Sequence, residues 1–188
     1  MRFLAQFPEY IEFREGESLR RKLKEPRTDE EEQTPEEILE ASYEEIRSGL
    51  ALELLSLVKK SSPSFFECLV VELLVKMGYG GSHRDAARAV GQTDDEGIDG
   101  IIDEDRLGLD TIYIQAKRWE RVVGRPEIQK FVGALMGKRS KKGIFITTLS
   151  FSKEALDYVS KIDAKIVLID GEPLAELMIS NDVPTQTH

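Results

Sequence analysis

The sequence has few of the residues that build disulfide-linked or zinc-binding proteins. Its 188 residues include one cysteine, Cys68, and two histidines, His83 and the terminal His188. This composition excludes an intrachain disulfide and a cysteine-based zinc site, and it argues against a histidine-rich metal site. No apolar run approaches the roughly 20 residues of a membrane-spanning helix, and the N-terminus lacks the apolar core of a signal peptide. We therefore expect a cytoplasmic protein that does not contact membranes.

Positive charge is also scarce, since 26 lysines and arginines face 35 acidic residues for a net charge of −9. That balance argues against an indiscriminate nucleic-acid binder. However, residues 94–110 carry eight acids and one base, whereas residues 117–142 carry nine bases and two acids. An acidic segment followed by a basic one suits a metal site beside a phosphate backbone. The alternative is two solvated surfaces whose charges neutralise each other.

Hydrophobic periodicity predicts an α/β fold. Strands are predicted at about 98–103, 111–117, 143–148 and 165–169, and helices at about 34–60, 65–77, 126–138, 152–162 and 171–180. From residue 63 the element order is αββαβαβα. A hairpin followed by alternating helices and strands implies a mixed central sheet with helices on its faces.

The N-terminal third is predicted to be a helical extension of that domain. Residues 25–33 form a charged linker, and Thr34 with Glu37 forms a capping box at the start of the amphipathic helix that runs to about Lys60. We therefore divide the chain into an N-terminal segment, residues 1–62, and a second domain, residues 63–188, that contains the mixed sheet.

The most informative residues lie on the first two predicted strands. Asp99 is followed about 18 residues later by the triplet Gln115-Ala116-Lys117. Strand alternation puts Gln115 and Lys117 on one face. If the strands form a hairpin that turns near Gly108, Asp99 lies opposite Lys117, with β-carbons about 5 Å apart. A slip of one residue would move Asp99 to the other face.

This arrangement is the one that a metal-dependent phosphodiesterase needs. Asp99 would bind a hard divalent cation, and Lys117 would lie beside the attacked phosphate. The alternatives are that Asp99 caps the backbone at a strand end and that Lys117 is a surface residue of an edge strand.

An ordered set of short motifs accompanies these residues between about 63 and 180. The set comprises Phe66-Glu67 with Met77-Gly78-Tyr79-Gly80, Gly97-Ile98-Asp99-Gly100, Gln115-Ala116-Lys117, Gly143-Ile144-Phe145-Ile146-Thr147-Thr148, Phe151-Ser152 with Ala155, and Leu168-Ile169-Asp170-Gly171. It resembles the Mrr-type restriction endonuclease domain, a branch of the PD-(D/E)xK nuclease superfamily. The resemblance implies a restriction-endonuclease-like fold and Mg²⁺-dependent hydrolysis of phosphodiester bonds in foreign or methylated double-stranded DNA, with Mn²⁺ as a possible substitute.

The resemblance also suggests roles for individual residues. The metal would be held by Asp99, the amide oxygen of Gln115 and the carbonyl of Ala116, and Lys117 would orient or deprotonate the attacking water. Most of the superfamily has an acid where this chain has Gln115, but the Mrr branch commonly has glutamine. Glu67 could supply the missing charge. Its alternative role is a capping box with Ser64.

Candidate phosphate contacts follow directly after the triplet. They are Arg118, Arg121, Arg125 and Lys130. Members of the family often carry an N-terminal winged-helix domain, and residues 7–15 resemble the trailing segment of one.

Other functions remain open at this stage. The chain could be a catalytically silent DNA-binding module with a nuclease fold, because a neutral Gln115 weakens metal binding. It could also be a resolvase that cuts branched DNA, or an interaction subunit that docks through the helix at residues 35–60. We expect a homodimer, since a double-strand cut needs two active sites.

Overall fold

The computed structural model describes residues 34–80, 97–104 and 109–183. The chain divides into two compact units, Met1–Ser42 and Tyr43–His188. The predicted turn near Gly108, the charged linker and the possible winged-helix remnant lie outside the described residues. The predicted division after residue 62 stays a prediction.

Five helices and four strands form the described part of the chain. In chain order they are α1 (Pro35–Lys60), α2 (Pro63–Lys76), β1 (Gly100–Asp103), β2 (Thr111–Lys117), α3 (Arg125–Gly137), β3 (Lys142–Thr147), α4 (Lys153–Val159), β4 (Lys165–Ile169) and α5 (Gly171–Ser180). The predicted order from residue 63 is confirmed. The long N-terminal helix is continuous through Gly49.

The sheet is mixed, as predicted. Its strand order is β1-β2-β3-β4, with β1 antiparallel to β2 and the other neighbours parallel. Two helical crossovers therefore connect the parallel strands, and the C-terminal ends of β2 and β3 meet at one edge of the sheet. This is the edge at which open α/β sheets usually bind their ligands.

The predicted hairpin register is wrong by two residues. Ile101 pairs with Tyr113 and Gly100 pairs with Ile114, so the same register continued to Asp99 places it opposite Gln115, two residues before Lys117. The reason is that the length of the turn is not encoded in the alternation of the strands. Because side chains alternate with a period of two, a shift of two residues keeps Asp99 on the predicted face.

Each face of the sheet has its own hydrophobic core. Phe66, Leu73 and Leu74 of α2 are almost fully buried against a face that includes Ile114 and Ile146. The opposite face packs against α3 and α4 around a second cluster of buried residues. None of the described helices combines the length and the hydrophobicity that a membrane crossing demands.

Helix α3 lies so close to β3 that one glycine has no room for a side chain. A β-carbon on Gly143 would lie 2.7 Å from Cζ of Phe131 and 2.9 Å from Cδ1 of Leu135. Both neighbours are buried, and the Phe131 ring makes an edge-to-face contact with Phe145 at 5.6 Å. Neither neighbour can move without disturbing the core.

We expect Gly143→Ala to lower the free energy of unfolding by about 1–3 kcal/mol, the usual cost of overpacking a core. Gly133→Ala is the matched control, because Gly133 lies within α3 and a β-carbon there would meet nothing within 4 Å. The control should raise the free energy of unfolding by about 0.5–1 kcal/mol, since alanine favours a helix interior. Urea unfolding of both variants measures the two effects. Equal stabilities would contradict the packing described here.

Candidate active site

Asp99 lies where the pairing of β1 with β2 ends. Its backbone N–H donates to the Ile114 carbonyl at 2.8 Å. Its side-chain Oδ2 accepts the N–H of Ala116 at 2.8 Å and lies 3.4 Å from Nζ of Lys117. The carboxylate therefore replaces a backbone acceptor at the end of the ladder and also holds the lysine. The Asp99 side chain thus does both things that the sequence analysis considered. It caps the backbone at the strand end, and it lies beside Lys117.

Lys117 is the last residue of β2, and its backbone is fixed from β3. The hydroxyl of Thr147 donates to the Lys117 carbonyl at 3.0 Å, and the hydroxyl of Thr148 donates to the Trp119 carbonyl at 3.2 Å. Both threonines are fully buried. The sequence analysis did not assign them a role. The available signal was a pair of hydroxyl side chains at the end of an apolar strand.

Gln115 is almost completely buried, with 7% of its surface exposed. Among the described residues, no donor lies within hydrogen-bonding distance of its Oε1. Gly97 approaches the same amide, because a β-carbon there would lie 2.6 Å from Nε2 of Gln115, and its φ of +90° is one that glycine adopts readily. A buried amide oxygen that lacks a donor is suited to bind a cation.

Glu67 lies in the second turn of α2 and is electrostatically coupled to the strand residues. Partial burial, and then the charge of Asp99, raise the pKa of the Glu67 carboxyl, while the charge of Lys117 opposes the shift. The N-cap of α2 is Ser62, whose Oγ accepts the N–H of Phe65 at 3.1 Å. The capping-box alternative with Ser64 is therefore wrong, because the helix begins before that residue. Glu67 is thus close enough to Asp99 and Lys117 for their charges to influence it.

These groups form an oxygen-rich site. Asp99 and Glu67 offer carboxylates, Gln115 offers an amide oxygen that has no donor among the described residues, and the Ala116 carbonyl lies between Gln115 and Lys117 in the chain. Within the described residues no three His, Cys, Asp or Glu side chains cluster as a metal site. The oxygen atoms of Asp99, Glu67, Gln115 and Ala116 nevertheless fit a hard cation such as Mg²⁺, because Mg²⁺ retains several waters and is often bound by only one or two carboxylates.

The predicted phosphate contacts do not all lie together. Nη1 of Arg118 donates to the Lys59 carbonyl of α1 at 2.7 Å, so this side chain points towards the helix. The Arg121 guanidinium lies 4.6 Å from the centre of the Trp119 ring. These placements leave their contacts with DNA as predictions.

The other two predicted phosphate contacts are on α3. The Arg125 guanidinium lies 5.0 Å from the Tyr158 ring centre. Nζ of Lys130 lies 3.2 Å from the Glu127 carboxylate, and 71% of the Lys130 side chain is exposed. Their contacts with DNA also stay predictions.

The raised pKa of Glu67 predicts a pH-dependent stability. Below pH 4.5, the ordinary pKa, Glu67 is protonated in both the folded and the unfolded chain and contributes nothing. As the pH rises through the raised folded-state pKa, the ionised side chain destabilises the fold. Measured in EDTA, Glu67→Gln should therefore have a higher Tm than the parent at pH 7, and this difference should vanish near pH 4.

Glu154→Gln is the control, and its expected effect on stability at pH 7 is opposite to that of Glu67→Gln. Hydrogen bonds from a backbone N–H and from Ser152 lower the pKa of Glu154, so ionisation of Glu154 stabilises the fold above pH 4.5. This variant should be less stable than the parent at pH 7. A Glu67→Gln variant that loses stability between pH 4 and pH 7 relative to the parent would contradict the electrostatics of the site.

Comparison with known proteins identifies the family and the fold. A family model described as restriction endonuclease, of the Mrr catalytic type, matches residues 58–178. The type IV methyl-directed restriction enzyme EcoKMrr of Escherichia coli K12 is 47% identical over 150 residues, which cover 80% of this chain and 49% of that enzyme. The chain thus spans about half the length of the curated relative it matches.

Two solved structures share the fold. The MspJI restriction endonuclease, in complex with a 27-mer oligonucleotide, has a TM-score of 0.51 and 24% identity over 70% of this chain and 31% of its own. The DNA modification-dependent restriction endonuclease AspBHI has a TM-score of 0.55 and 17% identity over 72% and 36% of the two chains. Together with the family match, these likenesses confirm the restriction-endonuclease-like architecture. The chain belongs to the Mrr-type restriction endonuclease family.

Proposed function

We propose that the chain is a divalent-metal-dependent endonuclease that hydrolyses phosphodiester bonds in double-stranded DNA. One observation carries the proposal. In a member of the Mrr-type family, Asp99 and Lys117 form an ion pair, Glu67 is electrostatically coupled to both, and the buried Oε1 of Gln115 on the same strand as Lys117 has no donor among the described residues. A structural role alone would not require a buried amide oxygen that has no donor among the described residues, on the strand that also carries Lys117.

The oxygen atoms of Asp99, Gln115, Ala116 and Glu67 are the groups that would hold Mg²⁺, or Mn²⁺ in its place. When bound, such an ion polarises a phosphoryl oxygen and lowers the pKa of a bound water. Because Gln115 is neutral, the ionised form of Glu67 is the second negative charge of the site. Glu67 is therefore expected to matter more for function than its helix position alone suggests.

Lys117 is the candidate catalytic residue for the attacking water. Its ammonium lies 3.4 Å from the Asp99 carboxylate, and 24% of its side chain is exposed. It is thus held next to the proposed cation site and remains accessible to a phosphate. In that position it would orient the attacking water and offset the negative charge that develops on the phosphorus.

Modified DNA is the substrate class we propose. EcoKMrr is described as methyl-directed, and AspBHI is described as modification-dependent. The wide spread of Lys and Arg over residues 117–142 is consistent with backbone contacts, which position DNA without reading its sequence. A cytoplasmic location follows from this substrate and is proposed with it.

A homodimer is proposed from the surface of α1. Tyr43, Ile46, Leu50 and Leu57 expose between 42% and 72% of their surface along this helix. Their spacings of three, four and seven residues place them along one side of the helix, the pattern of a helix–helix seam. Two copies joined there would bring two active sites to one duplex.

The proposed chemistry predicts the loss of cleavage in two single variants. Asp99→Asn keeps an oxygen for the Ala116 N–H but removes the charge, and Lys117→Met keeps the stem but removes the ammonium. Each should lower the rate of plasmid cleavage by at least about 10²-fold, the lower limit for a missing acid–base group. The rate is measured on methylated plasmid with Mg²⁺, and unchanged far-ultraviolet circular dichroism checks the fold.

The controls are Asp157→Asn and Lys161→Met. Asp157 and Lys161 form an exposed ion pair at 2.6 Å on and just after α4, so their variants make the same chemical changes away from the site. Both should cleave like the parent. Full cleavage activity in either Asp99→Asn or Lys117→Met would contradict the proposed site.

The dimer proposal is tested by Leu50→Glu. A charge in the middle of an apolar helix seam should shift the mass measured by light scattering from two chains to one. Leu156→Glu, at an apolar residue of α4 that is 51% exposed, is the control and should leave the mass at two chains. A parent chain that elutes with the mass of one chain would contradict the proposal.

A further inference from the structure

A cavity of about 520 Å³ lies between the C-terminal half of α1 and the segments that leave β2 and β3. Leu52, Leu55 and Trp119 contribute apolar atoms to its lining, and Thr148 lies at its sheet side. The catalytic roles proposed above use none of these side chains. The cavity is therefore a second site at the same edge of the sheet as Lys117.

The charged lining of the cavity is mostly positive. Lys59, Lys60 and Arg118 contribute cations, and Glu120 is the single acid among the lining residues. A half-enclosed cavity with an excess of positive charge attracts anions more strongly than a flat surface with the same charges. The occupant is therefore expected to carry negative charge.

The Arg118 guanidinium has one anchored donor and one buried donor. Its Nη1 is anchored on the Lys59 carbonyl at 2.7 Å, but among the described residues no acceptor lies within reach of the buried Nε. Buried donors in folded proteins almost always have partners. The anchor fixes the plane of the guanidinium, whose remaining N–H groups can bind a phosphate in a bidentate manner.

The position of Arg118 directly after β2 connects this cavity to the proposed active site. Arg118 follows Lys117 directly, and neighbouring residues of an extended chain point to opposite sides. Lys117 contacts Asp99, while Arg118 contacts α1. The cavity and the proposed active site thus lie on two sides of the chain segment that leaves β2, and Lys117 and Arg118 join them as sequence neighbours.

We infer that the cavity receives a backbone phosphate of the DNA strand, adjacent to the phosphate that is cut, with Arg118 as its bidentate donor. Lys59 and Lys60 supply the surrounding positive charge. The inference rests on the proposed function, since it takes DNA as the substrate. It names a positioning site for the strand, and it leaves the chemistry at Asp99 and Lys117 unchanged.

The obvious variant, Arg118→Ala, also removes the anchor on α1 and could unfold the chain. Ser56→Asp avoids this problem, because Ser56 is an exposed residue of α1 that lines the cavity. A carboxylate there would compete with a phosphate for Arg118. Ser42→Asp makes the same change at an exposed residue of the same helix that does not line the cavity.

Binding of a fluorescein-labelled methylated duplex is measured in EDTA by anisotropy over a range of salt concentrations, and folding is checked by thermal unfolding. Relative to Ser42→Asp, we expect Ser56→Asp to weaken binding about tenfold and to reduce the slope of log K against log salt by about 0.9, the loss of one phosphate contact. Arg118→Lys keeps the positive charge but loses the planar guanidinium that allows bidentate binding. This variant should also bind the duplex more weakly than Ser42→Asp does.

Equal affinities and slopes for the two serine variants would overturn the inference, as would a parent chain that does not bind the duplex. A parallel titration with inorganic phosphate separates the sources of the anion. Saturable phosphate binding without duplex binding would point to a free anion and contradict the assignment to DNA. If Ser56→Asp weakens duplex binding but the parent never cleaves with Mg²⁺ or Mn²⁺, the proposed activity fails and the phosphate cavity stands.

Discussion

The contact of the Asp99 carboxylate with the end of β2 is the interaction on which the proposed site depends. A backbone N–H and a lysine ammonium share one oxygen of this side chain, so the beginning of β1 is fixed against the residues that carry the chemistry. Thr147 fixes the same strand end from the other side through its hydrogen bond to the Lys117 carbonyl. Lys117 is thus held by both neighbouring strands, although it lies at the end of its own.

The site is arranged at a cost to the stability of the fold. Burial and the charge of Asp99 raise the pKa of Glu67, and the buried Oε1 of Gln115 lacks a donor among the described residues. Both features are unfavourable in a protein that only needs to fold. They become favourable when a cation binds, because a cation lowers the energy of a carboxylate and gives the amide oxygen a partner. Local violations of this kind are typical of functional sites.

The element order, the mixed sheet and the grouping of Asp99, Gln115 and Lys117 could be predicted from the sequence. These features follow from periodicity and from short motifs, which are local properties of the chain. The hairpin register was wrong by two residues, because turn length is set by loop geometry that strand alternation does not encode.

The interactions that the sequence did not predict involve distant elements. Ser62 caps α2, and this could not be distinguished from a cap at Ser64, since both are followed by plausible first turns. The anchor of Arg118 on the Lys59 carbonyl joins residues 59 positions apart. A run of basic residues gives no indication of which one turns towards a helix and which ones face the solvent. The cavity beside Arg118 is likewise a product of tertiary packing.

The most direct test of the account is cleavage of a plasmid by the unaltered chain with Mg²⁺, with Mn²⁺ and with EDTA, on methylated and unmethylated DNA. The account predicts nicked and linear products that require a divalent metal, that form on methylated plasmid, and that accumulate when the plasmid exceeds the protein. Binding of methylated plasmid without any cleavage in either metal would contradict it, and would identify the chain as a DNA-binding module with a nuclease fold.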